Sequence, residues 1–314
     1  MIKKWHSILA GMAMATFSYG AAADNWPTRE IALTVSFSAG GVTDIVGRTV
    51  AKALSKDLGV PVVVVNRPGG QGTIGQDFVR RQKPDGYNLA IVSSSSTAFS
   101  PYVVKDVYKP TDFQYIGGIG VLRFGMAVNA NSPYQTIGDL IEASKKESLF
   151  YGVSSASIAM GFEGLATKSG AKFEGVNYKS GAEIVMAVIG GQVTALMQAP
   201  SEVLPHVKAG KLRLLASVGT TRWPSAPDVP TLREAGYDVA VESWIGVAAP
   251  KGLPTEIASR LESALKKVAS DPAMKEALDQ LGVDSKPLSA DDFGNRMQSD
   301  YVAAGPFMKK YLQR

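Results

Sequence analysis

The chain reads I-A-L-T-V-S-F-S-A-G-G-V-T-D from Ile31 to Asp44. Its first seven residues alternate apolar with small or polar residues and are rich in β-formers, which predicts a strand. Two glycines follow, and we expect Thr43 to cap a helix whose dipole favours the charge of Asp44. Apolar residues then recur at helical spacing until Gly59 ends the run. The stretch therefore predicts a strand, a glycine turn and a helix.

This unit has a chemical consequence at its turn. The free amides of the first helical turn point past the end of the strand, where they can hold an anion without a cationic side chain. The glycine pair Gly40-Gly41 is equally typical of a plain tight turn. The spacing G-x-G-x-x-G of dinucleotide-binding proteins is absent here.

Length and composition bound the class of protein. The chain has 314 residues, enough for one large or two ordinary domains. Its 45% hydrophobic and 19% charged residues are typical of a globular protein. It has no cysteine, so disulfides do not stabilise it. A net charge of +5 without a Lys/Arg run gives no reason to expect a nucleic-acid partner.

The first 23 residues have the pattern of a secretory signal peptide. Lys3 and Lys4 are followed by an apolar stretch over 8–17, which is too short to span a bilayer. Three alanines end at Ala23 and offer a cleavage site. We therefore expect cleavage after Ala23 and an exported mature protein.

Strands and helices alternate along the mature chain. The valines of 62–65 predict a fully buried parallel strand, and 87–92 predicts a third strand that ends in a run of serines. A second α/β set follows, with a strand over 150–153 and another serine-rich loop. The strand over 212–218 is expected to return to the first set, and the C-terminal part is expected to be helical. The pattern predicts doubly wound α/β sheets whose loops gather at one edge.

The residue types restrict the chemistry. His206 is the one histidine of the mature chain, so thiolate catalysis and His/Cys metal sites are excluded, and we expect no metal and no cofactor. A hydrolase that uses only carboxylates stays open. The loops after the strands offer hydroxyl donors suited to a small anion in a cleft between domains. The hydroxyl residues are Ser38, Thr43, Ser93, Ser95, Ser154, Ser155 and Ser157.

Several motifs resemble one known family over nearly the whole mature chain. F-S-A-G-G-V-T-D is similar to the F-x-P-G-G-x-x-D signature of the tripartite tricarboxylate transporter solute receptors, the Bug or TctC-like proteins. Further segments match in the same order. They are V-V-N-R-P-G-G-Q-G-T-I-G (64–75), P-D-G-Y (84–87), Y-K-S-G-A (178–182), G-Q-V (191–193), V-K-A-G-K-L-R (207–213), P-D-V-P-T-L-R-E-A-G (227–236) and W-I-G-V-A-A-P-K-G-L-P (244–254).

The resemblance implies a periplasmic-binding-protein-like fold (type II) of two doubly wound α/β domains joined by hinge strands. Domain 1 is expected to comprise 24–122 plus 245–314, and domain 2 to comprise 123–244. We place the hinge strands near 116–128 and 212–219. Two departures from the family pattern stand out: Ala39 replaces a proline, and the loop over 153–161 lacks the usual glycine spacing.

The resemblance also implies a function. A periplasmic receptor of this family binds a small organic carboxylate between its domains and delivers it to membrane permease subunits of a tripartite transporter. It is not an enzyme, and we expect a monomer. Two alternatives stay open: a sensor subunit that presents its ligand to a membrane signalling protein, and an exported carboxylate-based hydrolase.

The expected ligand-binding residues lie on the loops of both domains. Asp44 is read as structural or water-ordering, because its charge opposes an anion. Arg123 is either a surface or interdomain residue or a partner for a second ligand carboxylate. The predicted set is Phe37, Ser38, Ala39, Gly40, Gly41, Thr43, Asp44, Asn66, Ser93, Ser95, Ser154, Ser155, Ser157, Tyr178, Ser180 and Gln198.

Overall fold

The computed structural model describes residues 26–104 and 106–311, so the predicted signal peptide lies outside the described residues. Strands and helices alternate through these ranges. The strands are β1 (Ile31–Val35), β2 (Val62–Asn66), β3 (Asn88–Ser93), β4 (Phe113–Leu122), β5 (Gly125–Asn129), β6 (Leu149–Val153), β7 (Phe173–Asn177), β8 (Ala195–Gln198), β9 (Leu212–Ser217), β10 (Ser243–Pro250) and β11 (Val283–Leu288). The helices are α1 (Val42–Leu58), α2 (Thr73–Arg80), α3 (Ser100–Val103), α4 (Ile137–Lys146), α5 (Ala156–Ser169), α6 (Gly181–Ile189), α7 (Pro200–Lys208), α8 (Thr255–Ala269), α9 (Pro272–Gln280) and α10 (Ala290–Tyr311).

The first sheet has six strands in the spatial order β11-β4-β10-β3-β1-β2. β1 pairs in parallel with β2 and β3, whereas β10 and β11 pair antiparallel with β4. Helices cover both faces. Leu89 and Ile91 of β3 pack in the cluster that contains α1, and Ala90 and Val92 pack in the cluster that contains Phe293 of α10. We call this sheet with its helices the first lobe.

The second sheet has five strands in the order β7-β6-β8-β5-β9. β6 pairs in parallel with β7 and β8, and β5 pairs antiparallel with β8 and β9. Met126, Ala127 and Val128 of β5 are fully buried, as expected for a strand with a neighbour on each side. We call this sheet with its helices the second lobe.

The described chain passes between the lobes at two places. β4 ends at Leu122 in the first sheet, and β5 begins at Gly125 in the second. β9 ends at Ser217 in the second sheet, and β10 begins at Ser243 in the first. The first lobe is therefore built from residues on both sides of the second lobe in sequence.

Helix α1 shows how the opening stretch packs. Val46, Val50 and Leu54 are buried at helical spacing, and Gly59 ends the helix in a left-handed conformation at φ +75°. The helix lies very close to β1, because a Cβ on Gly47 would come within 2.8 Å of Val35 Cγ2. Close packing here fixes where the first turn of α1 lies relative to the end of β1.

The structure corrects several expectations. Thr43 does not cap α1: the cap is Gly41, and Thr43 lies inside the first turn. The strand over 62–65 is parallel but is not fully buried, because β2 is at the edge of its sheet and Val63 is 39% exposed. β9 does not return to the first lobe but pairs with β5, and β10 makes the return instead.

Other elements agree with local sequence signals. Thr136 and Asp139 form a capping box at the start of α4. The apolar residues Ile257, Leu261, Leu265 and Val268 recur at helical spacing and are buried in α8. Two strands were not predicted: β7, which contains a glycine, and β11, which is largely polar. The described helices include none that is both long and apolar enough to cross a membrane.

Candidate functional site

A cavity of about 60 Å³ lies between the two lobes, at the edge where β1, β3, β6 and β8 end. We call it the interlobe cavity. Its lining comes from both lobes and is dominated by hydroxyl and small side chains. The lining residues are Phe37, Ser38, Gly41, Val42, Thr43, Ser93, Ser95, Leu122, Phe124, Ser154, Ser155, Ile158, Lys179, Ser180, Gly181, Gln198, Glu202 and Ser243.

The loop from β1 to α1 forms one wall. The first backbone N–H groups of an α-helix have no partner within the helix, and those of α1 begin at this wall. The positive end of the helix dipole favours a negative charge at the same place. Thr43 lies in this first turn, is 8% exposed and lines the interlobe cavity. The wall is suited to an anionic group.

Asp44 holds this loop in place. Its carboxylate accepts hydrogen bonds from the backbone N–H of Gly40 (2.9 Å), from Arg48 Nε (3.0 Å) and from Asn66 Nδ2 (2.8 Å). Burial by itself raises the pKa of Asp44, but these hydrogen bonds outweigh it and hold the pKa below its usual value. Asn66 also donates to the Phe37 carbonyl at 3.1 Å. Asp44 is a structural residue that fixes the turn.

A π-helical turn over Ser94–Phe99 follows β3 and supplies the next wall. Ser93 and Ser96 bond each other's backbone N–H groups, at 3.3 Å and 3.2 Å, and so tie the start of the turn. The side chains of Ser93 and Ser95 are almost fully buried and line the interlobe cavity. The serine run therefore forms a hydrogen-bonded turn that holds two hydroxyl groups in the wall of the cavity.

Two hydrogen bonds join the lobes beside the cavity. The backbone N–H of Ser157 donates to Ser95 Oγ at 3.2 Å, and Ser38 Oγ donates to the Lys179 carbonyl at 3.3 Å. A third, from Ser201 Oγ to the Leu281 carbonyl at 3.1 Å, lies further along. The two lobes are in contact around the cavity.

The second lobe contributes further helix N-termini. Ser155 precedes α5, and Ser180 caps α6 by accepting a hydrogen bond from the Glu183 backbone at 3.2 Å. Both serines line the cavity, so the starts of α1, α5 and α6 meet there. Gln198 at the end of β8 is 4% exposed, and its Nε2 has no hydrogen-bond partner among the described residues.

The cavity lining also contains one carboxyl group, that of Glu202 in the first turn of α7. Burial raises the pKa of Glu202 to about 7, and a backbone hydrogen bond from Ala199 offsets only part of this effect. A carboxyl group with this pKa is partly protonated at neutral pH.

Ten of the sixteen predicted site residues line the interlobe cavity. They are Phe37, Ser38, Gly41, Thr43, Ser93, Ser95, Ser154, Ser155, Ser180 and Gln198. The other six are outside its lining. Ala39 and Gly40 lie exposed on the first loop, Asp44 and Asn66 support that loop, and Ser157 donates to Ser95 through its backbone. Tyr178 lines an adjoining groove of about 770 Å³.

Arg123 does not line the cavity. Its guanidinium forms ion pairs with Asp279, at 3.0 Å, and with Asp284, and its side chain is 13% exposed. These partners hold the crossing between β4 and β5 against β11 and the end of α9.

Eight lining residues are not in the predicted set. Five of them are apolar residues or glycine, which no local sequence pattern marks as part of a site. Ser243 is at the start of a strand, whereas the predicted serines follow strands. Lys179 and Glu202 are charged, but an isolated charge near a helix start is ordinary in sequence. The missed residues are Val42, Leu122, Phe124, Ile158, Lys179, Gly181, Glu202 and Ser243.

Two α/β lobes with a cavity between them at the ends of their strands form the architecture of periplasmic binding proteins. The solved structure of the periplasmic binding protein BugD has this fold, with a TM-score of 0.84 and 28% identity over 91% of this chain and 98% of that chain. The family model described as "Tripartite tricarboxylate transporter family receptor" matches residues 46–311, and the chain belongs to this family. The predicted fold class and family are confirmed.

Two other similarities bear on the family. A Cupriavidus necator relative described as "UPF0065 protein in gbd 5'region" is 37% identical over 281 residues, which cover 86% of this chain and 85% of the relative. The solved structure described as "R. palustris Rpa4515 with adipate" has a TM-score of 0.83 and 28% identity, over 91% of this chain and 98% of that chain.

Proposed function

We propose that this protein is an extracytoplasmic receptor that binds a small organic carboxylate in the interlobe cavity and delivers it to permease subunits of a tripartite tricarboxylate transporter. The observation that carries the proposal is the meeting of three helix N-termini and eight hydroxyl side chains in that cavity. Amide and hydroxyl donors of this kind suit a carboxylate. The adipate bound to the R. palustris relative is such a molecule.

The proposal includes the route and the domain organisation. Cleavage after Ala23 releases the mature receptor into the periplasm. The two domains are the lobes, and the hinge lies at the crossings from Leu122 to Gly125 and from Ser217 to Ser243. Parting of the lobes about these crossings admits the ligand, and their closure excludes water from it. Water exclusion strengthens each hydrogen bond to the carboxylate.

The alternatives predict different features. A hydrolase that uses two carboxyl groups needs them about 5–10 Å apart, whereas the described lining contains a single carboxyl, that of Glu202. A sensor subunit has the same cavity as a transport receptor. Isolation from membranes with the partner attached distinguishes a permease from a signalling protein.

Calorimetry on the mature protein tests the proposed site. We expect a carboxylate such as adipate to bind, and Thr43→Ala and Ser155→Ala each to weaken its binding by about 1–3 kcal/mol, the range for hydrogen bonds to a charged group. Ser259→Ala, an exposed serine of α8, is the matched control and should bind as the wild type does. Unchanged affinity in both cavity variants removes these residues from the site.

A further inference from the structure

Glu202 is the acidic member of the cavity lining, and no cation neutralises it. Its carboxylate has no Lys or Arg nitrogen within 4.0 Å among the described residues. Lys179 also lines the cavity, but its side chain is exposed, and it is not among the groups that move the pKa of Glu202. Among the residues that the structure describes, the carboxylate of Glu202 therefore has no cationic partner.

The neighbouring backbone leaves room for this carboxylate. A Cβ on Gly181 would lie 2.3 Å from Glu202 Oε1 and 2.8 Å from Gln198 Oε1. The missing side chain at Gly181 lets both polar groups reach the cavity at the start of α6. Gln198 itself is nine-tenths buried and has an unpaired Nε2 that needs an acceptor. Two acceptor oxygens, Glu202 Oε1 and Gln198 Oε1, therefore lie close to one point of the lining, and Gln198 Nε2 is a separate donor without a partner among the described residues.

A purely structural role for Glu202 is the competing explanation. Glu202 is the third residue of α7, where a glutamate can accept a hydrogen bond from the backbone at the cap, here Ala199. Glutamine performs the same capping role. A role limited to capping therefore survives Glu202→Gln, and a role that needs the negative charge does not.

The rest of the lining decides what Glu202 contributes to binding. The lining hydroxyl groups other than Ser38, whose proton goes to the Lys179 carbonyl, and the Gln198 amide can supply donors to a carboxylate. A protonated Glu202 would add one more donor to this set, whereas the ionised form is the one anionic acceptor in the described lining. A ligand with only carboxylates would repel the ionised form at short range.

We infer that Glu202 binds an ammonium group of the ligand, so that the receptor selects an amino-carboxylate over the plain carboxylate with the same carbon skeleton. The inference rests on the proposed function and narrows its substrate class. The carboxylate of the ligand is held by the helix N-termini and by Gln198, and the ammonium group is held by Glu202. Glu202 is then a specificity-determining residue.

Matched pairs of compounds test this selection. Calorimetry near neutral pH compares aspartate with succinate, glutamate with glutarate, 2-aminoadipate with adipate, and 4-aminobutyrate with butyrate. The proteins are the wild type, Glu202→Gln and the control Glu174→Gln, which changes an exposed glutamate of β7. Circular dichroism checks that each variant is folded. The comparison of the two members of each pair on the wild-type protein does not depend on any variant.

We expect at least one amino-carboxylate to bind the wild type about tenfold or more tightly than its plain partner. Glu202→Gln should reduce this ratio about tenfold, while Glu174→Gln leaves it unchanged. Equal binding within every pair, or an unchanged ratio in Glu202→Gln, overturns the inference while carboxylate binding itself supports the proposed function. The inference is also overturned if plain carboxylates bind the wild type more tightly as the pH falls and this pH dependence is lost in Glu202→Gln. That result would show that Glu202 takes up a proton when a plain carboxylate binds. No binding by any compound overturns both.

Discussion

Replacing Glu202 by glutamine should stabilise the ligand-free protein at alkaline pH and leave its stability unchanged at acidic pH. The pKa of Glu202 in the folded protein is about 7, against an ordinary value of 4.5, because burial disfavours the charged form. The folded state therefore holds a proton over a pH range in which the unfolded state has lost it. The wild type consequently loses stability as the pH rises from the ordinary value through the raised one.

The size of the effect follows from the two pKa values. A rise of the Glu202 pKa from 4.5 to about 7 corresponds to a loss of roughly 3 kcal/mol in the free energy of unfolding once the group is fully ionised. The carboxyl group faces the cavity and the start of α6, and both water and the helix dipole stabilise its charge. We therefore expect Glu202→Gln to raise the free energy of unfolding by about 1–3 kcal/mol at alkaline pH. Below the ordinary pKa both side chains are neutral, and the difference disappears.

Urea unfolding of the two proteins without ligand, at about pH 4 and about pH 8.5, measures this difference. Groups elsewhere, including Asp300 whose burial also raises its pKa, titrate in both proteins and cancel from the comparison. Glu174→Gln is the control and should show no such dependence on pH. A stability difference that is the same at both pH values would refute the reasoning, because it would show that Glu202 does not carry an uncompensated charge.

Two further predictions concern the supports of the cavity. Asp44→Ala should lower the free energy of unfolding by about 2–4 kcal/mol, because the Gly40 amide and Asn66 lose a buried charged partner; urea unfolding measures it, and a loss within error contradicts the structural role of Asp44. Arg123→Ala should cost about 1–3 kcal/mol, because its mostly buried guanidinium is removed from two aspartates. Raised salt should reduce the difference in free energy of unfolding between Arg123→Ala and the wild type, because salt screens ion pairs. If this difference does not change with salt, the loss is due to packing and the prediction is contradicted.

Local signals explain which parts of the fold the sequence predicted. The strand, glycine turn and helix around Gly41 are encoded by adjacent residues, and so is the amphipathic α8. The return of the chain to the first lobe is different, because pairing of β10 with β4 joins residues more than a hundred positions apart. The polar β11 is a strand because it pairs with β4 at the edge of the sheet, and its own pattern does not reveal this.

The same distinction applies to the site. Serine runs after predicted strands marked Ser95 and Ser155, because the ends of parallel strands meet at one edge. Glu202 carried no signal, since an acidic residue in the first turn of a helix is ordinary capping chemistry. Its place in the cavity depends on Gly181, which is 21 residues earlier and supplies only the absence of a side chain. The absence of a side chain at Gly181 produces no sequence pattern that could predict this contact.

The serine bridges between the lobes have a consequence for release of the ligand. A hydroxyl group can accept and donate at once, so Ser95 can keep its bond from the Ser157 backbone while giving its own proton to a carboxylate. Hydrogen bonds linked in series strengthen each other. Ser38, in contrast, has already committed its proton to the Lys179 carbonyl. In the proposed receptor, a bound carboxylate that accepts the Ser95 proton therefore stabilises the contact between the lobes, and separation of the lobes weakens its binding.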